Sequence, residues 1–593
     1  ALENAGGSMR LGALLELVNA DRATLDRLVE KGVISLDASS RGDGPPLDAP
    51  EPPPPELTIE QRAALAPLLD DLDKRQFQVS LLFGVTGSGK TEVYLRAIAR
   101  TLELGRTAIV LVPEIALTPQ TERRFRARFG EKVAVLHSRQ TGRVRADEWW
   151  RVRRGEARVV VGPRSAVWAP VPDLGLIVVD EEHDPSYKQQ DQPRYHARDT
   201  AIVRAKAANA PVILGSATPS LESWQNAKEQ KFRLLRLMQR PGGATLPVCD
   251  VVDMRREFSE TRGQPLFSRP LVFLLQEAFK KDERAIVFIN RRGFTTYLHC
   301  TRCGHVVKCP QCDITLAFHK QDGVLMCHFC QHRTRPPHGP CSECQGPPLK
   351  QTGAGTERIE EVFGQLFPDV KTARLDTDSL VGGVTAEDIL RRFRQGDARA
   401  LIGTQMVAKG LDVADVTVVG VVSADIGLAH PDFRAAERTF QLIAQVAGRA
   451  GRGDKPGRTV IQSFVSDHPA IVLAAQHDFE GFASGELEQR RVLGYPPFGR
   501  LLKILWRGPD PKRVEAEAAA ACEYLRGALV KENVKVLGPA PSPRAYLAGK
   551  HRFQALVKAS GPAAIKKAVV AVEAREGDSK VEVALDVDPF HLL

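Results

Sequence analysis

Four stretches of the chain hold residues whose types and spacing can do chemistry. "GVTGSGKT" (84–91) fits G-x-x-x-x-G-K-[ST]. Its glycines let backbone N–H groups converge on phosphate at a helix N-terminus. The cradle is Gly84, Val85, Thr86, Gly87, Ser88, Gly89, Lys90 and Thr91, with Lys90 expected to reach the β- and γ-phosphates of a nucleotide and Thr91 to ligate Mg²⁺. "LIVVDEEH" (176–183) is an apolar run that ends in acids. Asp180 is expected to hold Mg²⁺, and Glu181 to orient and deprotonate the attacking water. "QVAGRAGRG" (445–453) sets Arg449 and Arg452 three apart in a glycine-rich helix start, where they can act as arginine fingers on a γ-phosphate across a cleft. Plain surface charge is the other reading of those two arginines.

The fourth stretch is a run of C-x-x-C pairs: Cys300/Cys303, Cys309/Cys312, Cys327/Cys330 and Cys341/Cys344, eight of the chain's ten cysteines. Eight thiolates at this spacing fill two closed tetrahedral Cys₄ sites, which hold structural Zn²⁺ and leave no position for water. Fe–S ligation and redox thiols are the alternatives. The gaps between pairs are 5, 14 and 10 residues. The middle gap is nearest the roughly 15–20-residue spacer of two-pair zinc modules, which joins Cys309/Cys312 to Cys327/Cys330 and leaves Cys300/Cys303 with Cys341/Cys344 as an outer site. Sequential pairing is the second choice. Metal ligation supplies folding free energy, so such a module needs no large core of its own and can be inserted in a loop.

At 593 residues, 43% of them hydrophobic, the chain is long enough for several domains. No apolar run approaches the roughly 20 residues that span a bilayer. The clustered cysteines, with no secretory signal, point to a reducing, cytoplasmic setting. The chain opens on Ala1, so a shortened or engineered front is expected. Residues 1–40 read as two short helices and a strand, like the end of a winged helix, and 41–56 is a proline-rich linker. From 57 on, "VSLLFGV", "TAIVLV", "ARVVVG", "LGLIVVD" and "PVILGSAT" alternate with helical stretches, the pattern of a parallel sheet covered on both faces. A second series runs "RAIVFIN", "ARALIGT", "VTVVGVVSAD" and "RTVIQSF". The expected division is lobe 1 over 57–234, lobe 2 over 235–470 interrupted by the Cys-rich region 299–346, and an α+β C-terminal domain over 471–593.

Lys and Arg exceed Asp and Glu by 82 − 72 = 10, a modest excess whose clustering is more informative. Residues 123–158 hold twelve Lys/Arg against four Asp/Glu, with Trp149 and Trp150 among them. That mixture suits a polyanion with stackable bases; a solvated helix face with two core tryptophans fits equally. Near the C-terminus, Arg544, Lys550, Arg552 and Lys558 surround Tyr546 and Phe553, a single-strand or partner surface or else a basic strand edge.

The motifs "GVTGSGKT", "DEEH", "LGSATPS" (214–220), "VFINRRGF" (287–294), "IGTQMVAKGLD" (402–412) and "QVAGRAGRG" stand in the order of a superfamily 2 DExH helicase. "PEIALTPQ" (113–120), "VVVGPRSAVWAP" (159–170), "DEEHDPSYKQQDQPRYHARDTAIVRA" (180–205), "VSADIGLAHPDFRAAERTFQLIAQVAGRAGR" (422–452) and "RRVLGYPPFGRL" (490–501), with the cysteine block, closely resemble the replication-restart primosome helicases within that superfamily. The resemblance runs over about 57–593. It implies an α/β fold of two RecA-like P-loop lobes, a two-zinc insert in lobe 2, a winged-helix-like N-terminal piece and an α+β C-terminal domain.

The activity it implies is ATP- and Mg²⁺-dependent 3′→5′ unwinding at stalled forks and D-loops, with reloading of the replicative helicase. Implied partners are single-stranded and forked DNA, the single-stranded-DNA-binding protein docking on the C-terminal tail, and primosome proteins with the replicative helicase and its loader. The implied site is the nucleoid of a bacterial cytoplasm. By the family pattern Gln61 reads adenine, Glu114 and the threonine motifs at 118–121 and Thr404 face the DNA strand, and His183 couples the ATP and DNA sites. The loop after "DEEH" links DNA contact to hydrolysis through aromatics; Tyr187 and Tyr195 remain there, and Pro193 stands where an aromatic is usual. The family's front module, which captures a 3′ DNA end, has no counterpart in the sequence, which implies weaker fork recognition. Two other functions compete: a same-superfamily helicase acting in recombination or on RNA, and a DNA-binding primosome scaffold with weak or no motor activity.

Overall fold

Short runs rich in Val, Ile and Leu form the strands, and in the interior ones nearly every residue is buried, as parallel sheets covered on both faces require. The computed structural model describes residues 24, 27–29 and 33, and residues 56–592 except 115–118, 139, 244, 262–264, 290–296, 301, 311–314, 320–322, 328–331, 352–355, 377–378, 381–384, 409–414, 431 and 452–454. The winged-helix-like piece and the linker read at 1–56 therefore lie outside the described residues, apart from these few positions.

The first sheet is built from β1 (Val79–Gly84), β2 (Thr107–Leu111), β3 (Val133–Val135), β4 (Val159–Gly162), β5 (Leu174–Asp180), β6 (Val212–Ser216) and β7 (Arg233–Leu237), all parallel, in the order β3-β4-β2-β5-β6-β1-β7. It reaches Leu237, three residues past the boundary expected at 234. The second sheet contains β8 (Val248–Asp253) and β9 (Arg284–Ile289). After β9 come the short strands of the Cys-rich region: β10 (Leu298–His299), β11 (Ala317–His319), β12 (Val324–Met326), β13 (Arg333–Thr334) and β14 (Lys350–Gln351). The second sheet resumes with β15 (Thr372–Leu375), β16 (Ala400–Gly403), β17 (Val416–Val422) and β18 (Arg458–Ser463), in the parallel order β15-β16-β9-β17-β18-β8. The antiparallel C-terminal sheet pairs β19 (Arg500–Gly508), β20 (Lys535–Leu547), β21 (Lys550–Ala559) and β22 (Glu582–Val587) in the order β20-β21-β19-β22.

The Cys-rich region is packed onto its neighbours. Leu298, Leu316 and Leu325 share a core with Tyr495, Leu501, Leu556 and Leu592 of the C-terminal part. Gly304, at φ +74°, lies so close to lobe 2 that a β-carbon there would stand 2.7 Å from the Phe464 carbonyl oxygen. Only glycine fits both the dihedral and the gap.

The two lobes and the first helices of the C-terminal segment meet in a seam of aromatic rings and buried ions. Phe83 at the end of β1 and Trp224 of helix Leu221–Lys228 both pack on Phe479 of helix Phe479–Leu493, with centroids 5.4 and 5.1 Å away. Phe440 of helix Ala435–Ala447 stacks on Phe482 at 4.4 Å. Beside the rings, Arg490 Nη2 donates to Glu437 Oε2 at 2.9 Å, and Glu437 Oε1 accepts from the Leu221 amide at 2.9 Å. Arg434 reaches Glu222 at 2.5 Å. Burial alone would raise the Glu222 carboxyl, but Arg434, Arg490 and Arg198 hold it down at about 2. Lobe 1 and lobe 2 are thus joined by charges that neither lobe can leave uncompensated.

A second tie comes from the C-terminal segment. Lys188, which follows the "DEEH" strand, pairs with Asp586 at 2.7 Å and donates to Val587 O at 3.0 Å. Arg194 donates to Leu585 O at 3.2 Å, and Arg438 of lobe 2 donates to Phe590 O.

Arg490→Ala is expected to destabilise the chain by about 3–5 kcal/mol, because it takes the nearest cation from the buried Glu437 and Glu486 carboxylates and leaves Glu437 with Arg434 at 3.7 Å. Glu488→Ala on the same helix, 70% exposed, is expected to stay within about 0.5 kcal/mol. Denaturant midpoints of the two variants check this, and equal midpoints would remove Arg490 from the seam's energetics.

Candidate functional site

Strand β1 delivers the phosphate loop at its carboxyl end, and the loop needs glycine: Gly87 and Gly89 sit at φ +83° and +81°. Adjacent strands bring the other motifs to the same edge, since β5 ends on Asp180, β6 ends on Ser216, and β6 lies between β5 and β1. Lys90 Nζ donates to Gly84 O at 2.8 Å, so its ammonium lies over the loop's own carbonyls. Thr91 is half-buried in the first turn of helix Lys90–Glu103. Gln61 closes a capping box with Thr58 and donates through Nε2 to Ser88 O at 2.9 Å. It covers Gly89, where a β-carbon would meet Gln61 Nε2 at 2.3 Å.

Asp180 accepts from the Tyr94 hydroxyl at 3.0 Å. Burial first, then the neighbouring Glu181 charge, push its carboxyl up to about 6 against the pull of Lys90. Glu181 holds a left-handed backbone at φ +46°, an uncommon conformation for a side-chain-bearing residue that recurs at functional sites. Its Oε2 is buried with no hydrogen-bond partner among the described residues, and so is Ser88 Oγ. Buried oxygens left open beside a phosphate loop fit a site shaped for a nucleotide, its metal ion and a water.

His183 is the hub between the lobes. Its Nδ1 lies 2.7 Å from Ser216 Oγ of the "LGSATPS" motif, and its Nε2 lies 3.0 Å from Gln445 Nε2 of lobe 2. With the Gln445 amide as donor, the ring accepts at Nε2 and donates from Nδ1. Ser216 Oγ also accepts from Thr218 N at 2.9 Å, and Gln441 donates to Thr218 O at 3.3 Å. At Gly448 the second lobe touches the phosphate loop itself, for a β-carbon there would stand 2.9 Å from the Thr86 side chain. Arg449 follows Gly448, half-buried at this junction, whereas Arg452 lies outside the described residues.

Sequence reasoning missed Arg240. Its Nε donates to Thr86 O at 2.8 Å and its Nη1 to Gly451 O at 3.1 Å, so it bridges the phosphate loop and the "AGRAGR" turn. No motif signals it, because its partners lie 154 and 211 residues away. Gln445 had only its place in "QVAGRAGRG" to mark it.

Several expectations change. Tyr187 was expected among the aromatics that link DNA contact to hydrolysis; its ring is fully buried and its hydroxyl donates to Asp180 O at 2.6 Å and Leu111 O at 3.0 Å. It braces the acidic strand end from within. Tyr195 is half-buried, edge-on to the exposed Trp168 at 5.5 Å, with Pro193 in the exposed turn before it. Thr404 caps the carboxyl end of β16, Glu114 accepts from Ser138 Oγ at 2.6 Å, and residues 115–118 lie outside the described residues. Trp149 and Trp150 are not core residues, at 40% and 52% exposure.

Among the cysteines, the sulfurs of Cys300, Cys303, Cys341 and Cys344 lie within 4.8 Å of one another. The Cys300–Cys344 and Cys303–Cys341 pairs stand 3.7 and 3.6 Å apart. Four sulfurs about 2.3 Å from one tetrahedral ion would stand about 3.8 Å apart, so the donor set fits Zn²⁺. Both knuckles close alike, with Cys300 N donating to His305 O at 2.9 Å and Cys341 N to Gly346 O at 3.1 Å. Cys327 N makes the same bond to His332 O at 2.9 Å, and Cys309 is buried. Cys312 and Cys330 lie outside the described residues.

Gly448→Ala is expected to force Thr86 and the "AGRAGR" turn apart and to cut nucleotide hydrolysis on the order of 100-fold, the cost of misplacing groups at a reacting centre by about 1 Å. Steady-state phosphate release measures it, and parental rates would mean that the contact plays no part.

Comparisons with known proteins divide the chain along the same motifs. The DEAD/DEAH box helicase model matches residues 58–227 and the helicase conserved C-terminal domain matches 354–454. The PriA DNA helicase Cys-rich region (CRR) domain matches 309–335, and the Primosomal protein N C-terminal domain matches 491–590. Replication restart protein PriA of Bacillus subtilis (strain 168) is 40% identical, covering 100% of this chain and 74% of that protein. Its counterpart in Chlamydia pneumoniae is 41% identical, over 98% and 78%. Among solved structures, RecG bound to a three-way DNA junction matches 74% of this chain and 50% of that chain, at 17% identity and a TM-score of 0.43. With such identity sustained from the nucleotide motifs through the cysteine block to the C-terminal sheet, the chain belongs to the replication restart protein PriA family.

Proposed function

We propose that this replication-restart DNA helicase moves 3′→5′ along DNA by making and breaking the seam around His183 in step with ATP hydrolysis. The observation that carries this reading is one imidazole held between Ser216 of lobe 1 and Gln445 of lobe 2, one residue beyond the acids of "DEEH". Bound ATP and Mg²⁺ supply the scissile phosphoanhydride and the charge that the acids neutralise. Lys90, Thr91 and Asp180 hold them, Gln61 reads adenine, and Glu181 positions the water. Arg449 and Arg452 meet the γ-phosphate when the lobes close, and Arg240 positions the phosphate loop against that turn. Loss of the γ-phosphate removes what draws the lobes together, so Gln445 releases His183 and the strand can advance.

The finer proposal covers the substrate and partners. The chain binds stalled forks and D-loops, unwinds the lagging-strand arm and promotes reloading of the replicative helicase. Its partners are the single-stranded-DNA-binding protein, primosome proteins and the loader. No helix among the described residues is long and apolar enough to cross a membrane, in keeping with work beside the bacterial nucleoid in the cytoplasm. Residues Thr404 and Tyr195 lie toward the DNA. The Cys-rich region holds two Zn²⁺, the outer by Cys300, Cys303, Cys341 and Cys344 and the inner by Cys309, Cys312, Cys327 and Cys330. A scaffold without motor activity is not favoured, since helicase models match both lobes and the hydrolytic residues are intact.

ATPase activity is expected to rise with single-stranded or forked DNA and to vanish in Lys90→Ala. Equal rates in the two proteins would sink the motor assignment. Removing Cys300 and Cys341 together is expected to release one of two zinc ions per chain, counted by metal analysis; release of both, or of neither, would refute the nested pairing.

A further inference from the structure

Helix Gly142–Arg153 lies beside the edge strand β3, and among its residues only Val152 is buried. The helical period sorts its side chains into two faces. Val152, Glu148 and Arg151 turn toward the protein: Arg151 holds Glu148 at 3.0 Å and the Glu131 carbonyl at 2.6 Å. Along the exposed flank next to that face Arg145, Trp149 and Arg153 fall four residues apart, one above another, with Trp150 further round on the outer side. The two indoles meet edge to face at 5.0 Å and 86°. Arg143, Arg145 and Arg153 are exposed and have no ion pair or hydrogen bond from their side chains among the described residues, unlike the paired Arg126, Arg151 and Arg154.

Exposed adjacent tryptophans are costly to leave in water, and three arginines outside any ion pair, with Asp147 the one exposed acid on the helix, make a net positive local field. A surface that alternates cation, indole and cation along one stripe of about 12 Å complements a chain that alternates phosphate and base. Duplex DNA offers the phosphates but keeps its bases stacked inside, and an acidic peptide offers the charge without the regular flat faces. We propose that this helix is a binding surface for unpaired DNA, with phosphates on Arg145 and Arg153 and an unstacked base against Trp149 and Trp150. The site rests on the reading of the chain as a DNA helicase and extends it. It lies on the outer edge of lobe 1, apart from the seam, and gives the motor a hold on a single strand that does not depend on nucleotide state.

The test compares the full chain with Trp149→Ala/Trp150→Ala, Trp149→Phe and Arg145→Ala/Arg153→Ala, titrated with oligo-dT and with blunt duplex over a salt series. The double tryptophan variant is expected to lose about tenfold or more in affinity for oligo-dT, with duplex binding unchanged. Trp149→Phe is expected to recover most of that loss. The arginine variant is expected to flatten the salt dependence for oligo-dT by about 1.4 in log–log slope, about 0.7 for each lost phosphate contact. All these side chains are exposed, and unchanged unfolding temperatures verify the fold. Oligo-dT affinities equal to the parent's, or an equal loss on oligo-dT and duplex, would overturn the proposal while leaving the helicase reading intact. Failure of the parent itself to bind either DNA would remove that reading instead.

Discussion

Everything in the site depends on a buried polar contact that spans two lobes. The His183 ring has one nitrogen on Ser216 and the other on Gln445, so it is satisfied only when both lobes are in place. A buried imidazole nitrogen without a partner costs on the order of 1–3 kcal/mol, which makes the joined state preferred but not permanent. That scale suits the joint of the proposed cycle, which opens and closes many times. The neighbouring contacts accompany it: Gly448, three residues after Gln445, lies against Thr86, and Arg240 joins the same two segments with two backbone hydrogen bonds.

The rest of the seam is built to hold while this joint works. Phe83, Trp224, Phe440, Phe479 and Phe482 contribute ring contacts worth about 0.5–1.5 kcal/mol each beyond their buried area. The Arg490–Glu437–Leu221 chain of bonds adds a registry element, because only one alignment of the helices satisfies all its charges. These contacts share strand β1 and helix Ala435–Ala447 with the nucleotide motifs, so the apolar seam and the polar joint are carried by the same elements.

Much of this was legible in the sequence wherever a few consecutive residues carry the signal. The phosphate loop, the "DEEH" strand and the C-x-x-C knuckles are encoded locally, and the interior strands announce themselves as unbroken apolar runs. The four strands not read from the sequence, β3, β7, β8 and β15, are the edges of the two parallel sheets. An edge strand is covered on fewer sides, so its apolar signal is short or mixed, as in "RLLRL" and "VCDVVD". The burial of Tyr187 went unread for a related reason. It lies in a short 3₁₀ turn with no periodicity to show which way it points. Arg240 and the Gln445 amide were illegible because their meaning lies in partners two hundred residues away.

The tie between Lys188 and the C-terminal strand bears on how the protein comes into being. The loop that carries Lys188 stands beside the acidic strand end, yet its ammonium finds Asp586 and the carbonyls of Val587 and Asp588 about 400 residues later in the chain. At ribosomal speeds of about 5–20 residues per second, that separation is roughly 20–80 s of synthesis. During that interval the first lobe can fold around its own core, and the loop can close its own bonds to Leu111, Asp180 and His196. The Lys188 ammonium alone waits, a late clasp that forms once the far end of the chain has been made and has folded back.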